Sequence, residues 1–335
     1  MSGGVDSSVA AAMLRDAGHD VTGVTLKLWG GDSDSGCCSV ADVEDARRVA
    51  QQLDLAHYVF NLTEEFDGRV VDPYVAAYAA GRTPNPCVEC NRSIKWGLLL
   101  ERCRAMGFDA LATGHHARVE RDDAGRAWIR RGADPAKDQS YVLSVLPGDA
   151  VGDTLLPVGD LTKAEVRERA AALGLRTATK AESMDVCFIR RDERGSFLKG
   201  RLPAAPGVVV DVDGAPLGEH DGVAGFTIGQ RRGTGVAAGE RRYVVDLDAA
   251  TATVVLGTRA DLLRDRIDLV GFAPVHDALP DGSRVLVQTS AHGEPVAATL
   301  EGSSVRLDTA RPRVAPGQVV ALYVGNRVVA GAYAG

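Results

Sequence analysis

The residues Ser2-Gly3-Gly4-Val5-Asp6-Ser7-Ser8 combine two adjacent glycines, a carboxylate and three hydroxyls. Glycines, having no Cβ, let successive backbone N–H groups crowd around an anion. Ser7 and Ser8 add hydroxyl donors, and the apolar run Val9-Ala10-Ala11-Ala12-Met13-Leu14 reads as a helix. The loop is therefore expected at a positive helix N-terminus, where phosphate binds. No Gly-Lys-Ser/Thr follows the glycines, so this is not the common nucleotide loop. Gly-Gly alone would suggest only a turn that caps a helix; the whole heptapeptide is more specific.

Sulfur chemistry is the second candidate. Cysteines stand at 37, 38, 87, 90, 103 and 187. In Arg82-Thr83-Pro84-Asn85-Pro86-Cys87-Val88-Glu89-Cys90-Asn91 two prolines rigidify a loop just before a helix. Cys90 is then expected near the helix start, where the dipole lowers a thiol pKa. Cys187 follows nearly a hundred residues later, in Ser183-Met184-Asp185-Val186-Cys187-Phe188. Cys87 and Cys90 would make half of a structural zinc site, but no second C-x-x-C exists to complete it. A thioredoxin-like pair is disfavoured by the Pro-rich lead-in. Cys37 and Cys38 read as loop residues with a structural role, and Cys103 as a buried helix residue.

These groups need a scaffold, and residues 1–190 alternate strand and helix signals. Strands are expected at Val21–Leu28, His57–Asn61 and Asp109–Thr113, and helices at Val40–Leu53 and Ile94–Met106. Such alternation implies an α/β, doubly wound parallel sheet, with ligands at the carboxyl ends of its strands. After about residue 195 short alternating runs take over, among them Gly207–Val212, Tyr243–Leu247 and Val285–Thr289. Asp213-Gly214 and Asp281-Gly282 mark turns. This predicts two small all-β modules and three domains: 1–194, 195–260 and 261–335.

At 335 residues, 45% hydrophobic and 25% charged, the chain has the composition of an ordinary soluble globular protein. No run reaches the length of a membrane span and no signal peptide precedes the loop, so a cytoplasmic protein is expected. A net charge of −7 argues against a generally basic nucleic-acid coat, while leaving room for a local Arg patch. Only six basic residues are lysine, at 27, 95, 137, 163, 180 and 199, which draws notice to Lys95 and Lys137.

The heptapeptide resembles the PP-loop of the N-type ATP pyrophosphatases, which cleave ATP to AMP and pyrophosphate. Further segments stand in order: Gly81–Asn91, Thr113-Gly114-His115-His116-Ala117-Arg118, Lys137-Asp138-Gln139-Ser140-Tyr141, Gly159-Asp160-Leu161-Thr162-Lys163 and Phe226–Gly233. Together they resemble the tRNA-specific 2-thiouridylase family over nearly the whole chain. That family replaces the C2 oxygen of the wobble uridine, position 34, with sulfur.

The resemblance implies ATP and Mg2+ as cofactors. Ser2, Gly3, Gly4, Val5, Asp6, Ser7 and Ser8 would grip the released pyrophosphate, Leu26 and Gly114 would lie at the adenosine, and Asp6 would help hold magnesium. AMP is transferred to the uridine C2 oxygen, making it a leaving group. Cys187 would carry sulfur as a persulfide and Cys90 would be its partner thiol, the two forming a disulfide in alternation. The target base leaves its stack. Asn85 and Pro86 would line it, and His115, Lys137, Asp138, Gln139 and Gln318 would contact the tRNA. A cysteine desulfurase or a sulfur-relay protein would be the donor, and the enzyme a monomer.

Three features depart from that pattern. Cys87 stands where many members carry Asp, which makes Cys87, Cys90 and Cys187 candidate ligands of a four-iron, four-sulfur cluster. Ser290-Ala291 stands where members often place an Arg facing tRNA; His292 or Arg306 would compensate. No strand precedes the loop, so the first strand of the sheet is expected to be missing, and a start site upstream of Met1 would explain this. The alternatives are another PP-loop RNA sulfurtransferase and, outside enzymes, an inactive tRNA-binding protein.

Overall fold

The computed structural model describes residues 1–29, 39–181, 186–189, 193–236 and 241–335. The expectations for Cys37, Cys38, Ser183, Met184 and Asp185 lie outside these residues. Two units are distinguished: Met1–Val70 with Cys87–Asp192 and Asn326–Val328, and Val71–Pro86 with Glu193–Gly325 and Val329–Gly335.

In the first unit, helix α1 (Val5–Asp16) begins on Gly4, whose extended backbone makes it the N-cap. The helix thus starts four residues earlier than its apolar run suggests, and Val5–Ser8 form its first turn. Asp6 lies in that turn, where the dipole favours a carboxylate. Val5, Val9 and Ala10–Ala12 are buried against Val49, Leu53, Val158, Leu161, Val166 and Ala170. Strand β1 (Thr22–Lys27), helix α2 (Val40–Gln52) and strand β2 (Ala56–Asn61) make a βαβ crossover. β1 and β2 pair in parallel, Thr22 opposite Ala56 through Lys27 opposite Asn61. Ser39 caps α2, its hydroxyl accepting from the Asp42 N–H at 3.1 Å.

A second parallel pair joins β3 (Leu111–Ala112) to β6 (Thr154–Leu155). Between them in sequence, β4 (Ala117–Arg121) and β5 (Ala127–Arg131) form an antiparallel hairpin that the alternation does not signal. The parallel sheet therefore consists of two two-stranded pieces among the described residues. At the β1 edge, the Met1 amino group donates to the Val24 carbonyl and Thr25 Oγ1 donates to the Met1 carbonyl.

The helix expected over Ile94–Met106 starts eight residues earlier, at Pro86. Its first turn, Pro86–Glu89, is α-helical; Cys90–Leu99 winds wider, with π-type bonding; Leu100–Ala105 is α-helical again. Proline suits a first helical turn because it has no N–H to leave unsatisfied there.

In the second unit, β7 (Gly207–Asp211) and β8 (Pro216–His220) form a hairpin turned by Gly214 at φ +83°. With β9 (Tyr243–Asp248) and β10 (Thr253–Gly257) they make a sheet ordered β8-β7-β10-β9. Its core holds Val209, Val244, Val254, Leu256, Phe226 and Ile228. The remaining strands are β11 (Leu263–Pro274), β12 (Arg284–Gln288), β13 (Val296–Glu301), β14 (Ser304–Pro312), β15 (Val319–Val324) and β16 (Arg327–Ala334). They run in the order β11-β14-β13-β12-β15-β16, and pairing of β11 with β16 closes a six-stranded barrel. Closure removes the exposed strand edges of this sheet. The α/β portion followed by two β modules matches the sequence expectation.

Helix Lys163–Ala172 starts with a capping box: Thr162 Oγ1 accepts from the Glu165 N–H, and the Thr162 N–H donates to Glu165 Oε2 at 2.7 Å. Thr162→Ala is expected to cost about 1 kcal/mol, read as a lower denaturant midpoint for the first unit; Thr162→Ser should restore most of it.

Candidate active site

Helix α1 opens onto the loop Ser2-Gly3-Gly4, and the loop's shape rests on close backbone contact. Gly3 has φ +70°, and a Cβ there would lie 2.3 Å from the Asp42 carbonyl oxygen in the first turn of α2. Only glycine fits. The Ser2 N–H donates to Ser7 Oγ at 3.1 Å, and Ser8 Oγ donates to the Gly4 carbonyl at 2.8 Å. Ser8 is fully buried. Its hydroxyl therefore stiffens the loop rather than offering the donor to phosphate expected from the sequence.

Gly114, just beyond β3, meets the other side of α1. A Cβ on it would lie 2.6 Å from the Ser7 nitrogen and the Asp6 carbonyl carbon. Asp6 projects from the first helical turn. Lys163 Nζ reaches both its oxygens, at 2.7 and 2.8 Å, and His116 Nε2 lies 3.1 Å from Oδ1. Burial pushes the Asp6 carboxyl up, but the hydrogen bonds from His116 and Lys163 outweigh it and hold the group below the usual carboxylate range. With Nε2 on Asp6, His116 Nδ1 is buried without a partner. Gly132 and Gly159 allow this crowding, since a Cβ on either would strike the carbonyl of His116 or of Ala117.

Lys163 ends one of the sequence motifs, yet the sequence alone assigns it no role. A cation at the first position of a helix works against the dipole, and this misfit is the available signal. Lys180 lies in none of the motifs. Its Nζ contacts Asp42 Oδ1 at 2.5 Å, Asp45 Oδ2 at 2.6 Å and the Gly3 carbonyl at 3.0 Å. Burial alone would lower its pKa, but the bonds to Asp42 and Asp45 outweigh this and raise it. Leu26 lies near the carboxyl end of β1 and is half-buried.

Cys90 is buried and Cys87 half-buried. Because the helix starts at Pro86, Cys87 rather than Cys90 occupies the first turn, where the dipole acts. Cys187 is half-buried beside Phe188, which is buried with its ring 5.8 Å from Trp29 and 5.6 Å from Phe66. That aromatic seat ties the Cys187 turn to the chain just beyond β1. Neither Cys90 nor Cys187 is in a disulfide. Among the described residues no group of three or more His, Cys, Asp or Glu side chains is arranged to hold a metal ion. Cys87, Cys90 and Cys187 therefore do not form a cluster-binding trio in this conformation. Magnesium bound through one carboxylate and phosphate oxygens asks only for Asp6.

The residues assigned to tRNA turn largely inward. Asp138 accepts from Arg131 Nη1 at 2.8 Å, from the Gly132 and Ser140 N–H groups at 3.0 Å and from Ser140 Oγ at 2.9 Å. Its oxygens are committed within the first unit. Gln139 Oε1 accepts from the His116 N–H at 2.8 Å, and the Gln139 N–H donates to the His116 carbonyl at 2.9 Å. Both residues position the His115-His116 segment. Lys137 is half-buried in the turn between Asp134 and Asp138. His115 Nδ1 lies 2.7 Å from Thr113 Oγ1, with its ring 5.5 Å from that of Trp96. Burial, then the nearby charge of Lys95, pushes its pKa well below the usual value, so it is neutral.

In the second unit, Gln318 Nε2 donates to the Thr83 carbonyl at 2.9 Å and the Thr83 N–H donates to the Pro316 carbonyl at 2.7 Å. Gln318 thus fastens the chain leading into Asn85 and Pro86. Its expected contact is with nucleic acid; the contact observed is internal. Arg306 is paired with Glu301 at 2.8 Å, so it is not held ready to replace an Arg at position 290. His292 is exposed.

The first 191 residues match the family model described as a tRNA methyl transferase HUP domain. Residues 195–258 match a tRNA methyl transferase PRC-barrel domain, and 275–333 an aminomethyltransferase beta-barrel domain. The chain is 48% identical to the tRNA-specific 2-thiouridylase MnmA of Mycobacterium avium over 96% of this chain and 93% of that one. It is 44% identical to the proteins of that name from Chloroflexus aggregans and Moorella thermoacetica, over 99% of this chain and 96% and 97% of theirs.

Two pH dependences arise from the site. The depressed Asp6 pKa contributes stability that is present above the unfolded value of about 4 and is lost as the pH falls through the folded value. Urea midpoints between pH 2 and 7 should fall less steeply with acid in Asp6→Asn than in the wild type, the remaining slope coming from other carboxylates held low, among them Asp134 and Glu165. His115 stays neutral when folded but takes a proton in the unfolded chain below about pH 6.5. It should therefore cost stability as the pH falls below that value, and His115→Gln should flatten the loss.

Proposed function

Since the chain belongs to the tRNA-specific 2-thiouridylase family, we propose that it uses ATP to replace the C2 oxygen of the wobble uridine of tRNA with sulfur, releasing AMP and pyrophosphate. The observation that carries this reading is the anion cradle of Gly3, Gly4, Asp6 and Lys163, held in the same unit as Cys90 and Cys187. The matched family models are described by methyl transfer. A methyl transferase has no use for a loop built to retain pyrophosphate, so the thiolation named for the relatives agrees better with these residues.

The uridine C2 oxygen attacks the α-phosphorus of ATP, and pyrophosphate leaves toward the N–H groups at the start of α1. Lys163 neutralises charge beside Asp6 as that anion forms. Magnesium, when bound, would draw on Asp6 and the phosphate oxygens and offset their charge. The close approach of Gly114 to Ser7 leaves backbone, rather than side chain, beside the nucleotide. Cys187 receives sulfur as a persulfide. The Cys90 thiolate attacks the Cys187 sulfur and releases hydrosulfide, which adds to C2 and displaces AMP. A Cys90–Cys187 disulfide remains, and an external thiol reduces it. Alternatively the terminal persulfide sulfur attacks C2 directly, and Cys90 resolves the adduct.

Asn85 and Pro86 face the flipped base in this reading, and His115, neutral, donates or accepts a hydrogen bond without adding charge. Lys137 contacts the tRNA backbone. Asp138, Gln139 and Gln318 act by positioning. No described helix is long and apolar enough to cross a membrane. A monomeric cytoplasmic enzyme, supplied by a cysteine desulfurase or a sulfur-relay protein, completes the proposal.

The test is mass spectrometry of tRNA from a deletion strain carrying the wild-type or a variant gene. The wild type should restore 2-thiouridine, while Cys90→Ser and Cys187→Ser should not. Both variants should still exchange pyrophosphate into ATP in the presence of tRNA, because adenylation uses neither thiol. Restoration of thiouridine by Cys187→Ser would sink the assignment.

A further inference from the structure

The sequence places no constraint on the peptide between Gly3 and Gly4. Two successive glycines let it rotate at little steric cost, and a loop that must hold an anion needs that peptide in one orientation. In the structure, Lys180 Nζ donates to the Gly3 carbonyl at 3.0 Å. A trans peptide points its N–H opposite to its C=O. Holding the Gly3 carbonyl toward Lys180 therefore turns the Gly4 N–H the other way.

Lys180 is itself held on several sides. Asp42 and Asp45 accept from its ammonium at 2.5 and 2.6 Å, and Arg176 grips Asp45 from the opposite oxygen at 2.9 Å. Arg167 Nη1 and Nη2 donate to the carbonyls of Ala178 and Lys180, at 2.7 and 3.2 Å. Arg167 lies on helix Lys163–Ala172, whose first residue holds Asp6. One helix thus braces the loop twice, through Lys163 on Asp6 and through the Lys180 backbone. The carboxylate pair also keeps the Lys180 ammonium engaged with the protein, so its action on a bound anion is indirect.

We propose that Lys180 is a positioning residue that locks the Gly3–Gly4 peptide with the Gly4 N–H turned toward the pyrophosphate group of ATP. This deepens the function proposed above and rests on it. Pyrophosphate affinity should depend on the donor that Lys180 gives to Gly3 more than on its charge.

Isothermal titration with magnesium pyrophosphate and, separately, with adenosine tests this on the full chain. Lys180→Met should weaken pyrophosphate binding roughly tenfold to a hundredfold, the worth of one hydrogen bond from a charged donor. Adenosine binding should stay within about twofold, a selectivity that general loss of structure would not give. Lys180→Gln keeps an N–H donor without the charge and should recover pyrophosphate binding to within about threefold of wild type. Equal pyrophosphate affinity in Lys180→Met and wild type would overturn the proposal. So would Lys180→Gln binding as weakly as the charge loss alone predicts, tenfold or worse; this variant decides the matter should Lys180→Met not fold. Failure of the wild type to bind pyrophosphate at all would instead count against the proposed function.

Discussion

Positive charge gathers at the start of α1. The helix contributes unsatisfied N–H groups and the positive end of its dipole. Lys163 and Lys180 bring ammonium groups to the same place. Left alone these would repel one another, and the chain balances them with Asp6, Asp42 and Asp45. Much of the first unit is arranged around that balance. α2 supplies two of the carboxylates, the helix Lys163–Ala172 supplies one ammonium and braces the other, and Gly114 lets the chain beyond β3 reach α1. In the proposed function an incoming polyphosphate would meet groups already fixed in place, with little reorganisation left to perform.

Local features of this arrangement are legible in the sequence. Gly3, Gly4 and Asp6 lie within four residues, and their chemistry follows from what glycine permits and what a helix start attracts. The β1–α2–β2 crossover is legible because its hydrophobic period changes where the structure does. The roles of Lys163 and Lys180 are not, because their partners Asp6 and Gly3 lie 157 and 177 residues away. No spacing rule connects such pairs; only the fold brings them together. The helix beginning at Pro86 is expected too late, since its first turn, Pro-Cys-Val-Glu, carries a single buried aliphatic residue, Val88, too little to show a period.

Asp138, Gln139 and Gln318 show a different limit. The family resemblance implies that they contact tRNA. The structure uses all three to satisfy backbone groups, Asp138 at the turn after β5, Gln139 at His116 and Gln318 at Thr83. A buried N–H or C=O left unpaired is costly, and polar side chains near functional loops often meet that need. A motif records that the residue is required; it does not record which way it faces.

The wide-wound segment Cys90–Leu99 has a consequence for how this helix tolerates insertions and deletions. Its i→i+5 bonding accommodates about one residue more than an α-helix of the same length would. Deleting a single residue between Trp96 and Leu99 would let the segment relax into ordinary α-helix and keep the helix continuous. The wider winding absorbs the extra residue, so the turns before and after such a deletion would keep their faces. A deletion in the α-helical turn Leu100–Ala105 has no such slack, and would rotate Cys90 and Trp96 by about 100° relative to the chain that follows. The direction of one sulfur atom is thus insulated from residue count in one stretch of this helix and exposed to it in the next.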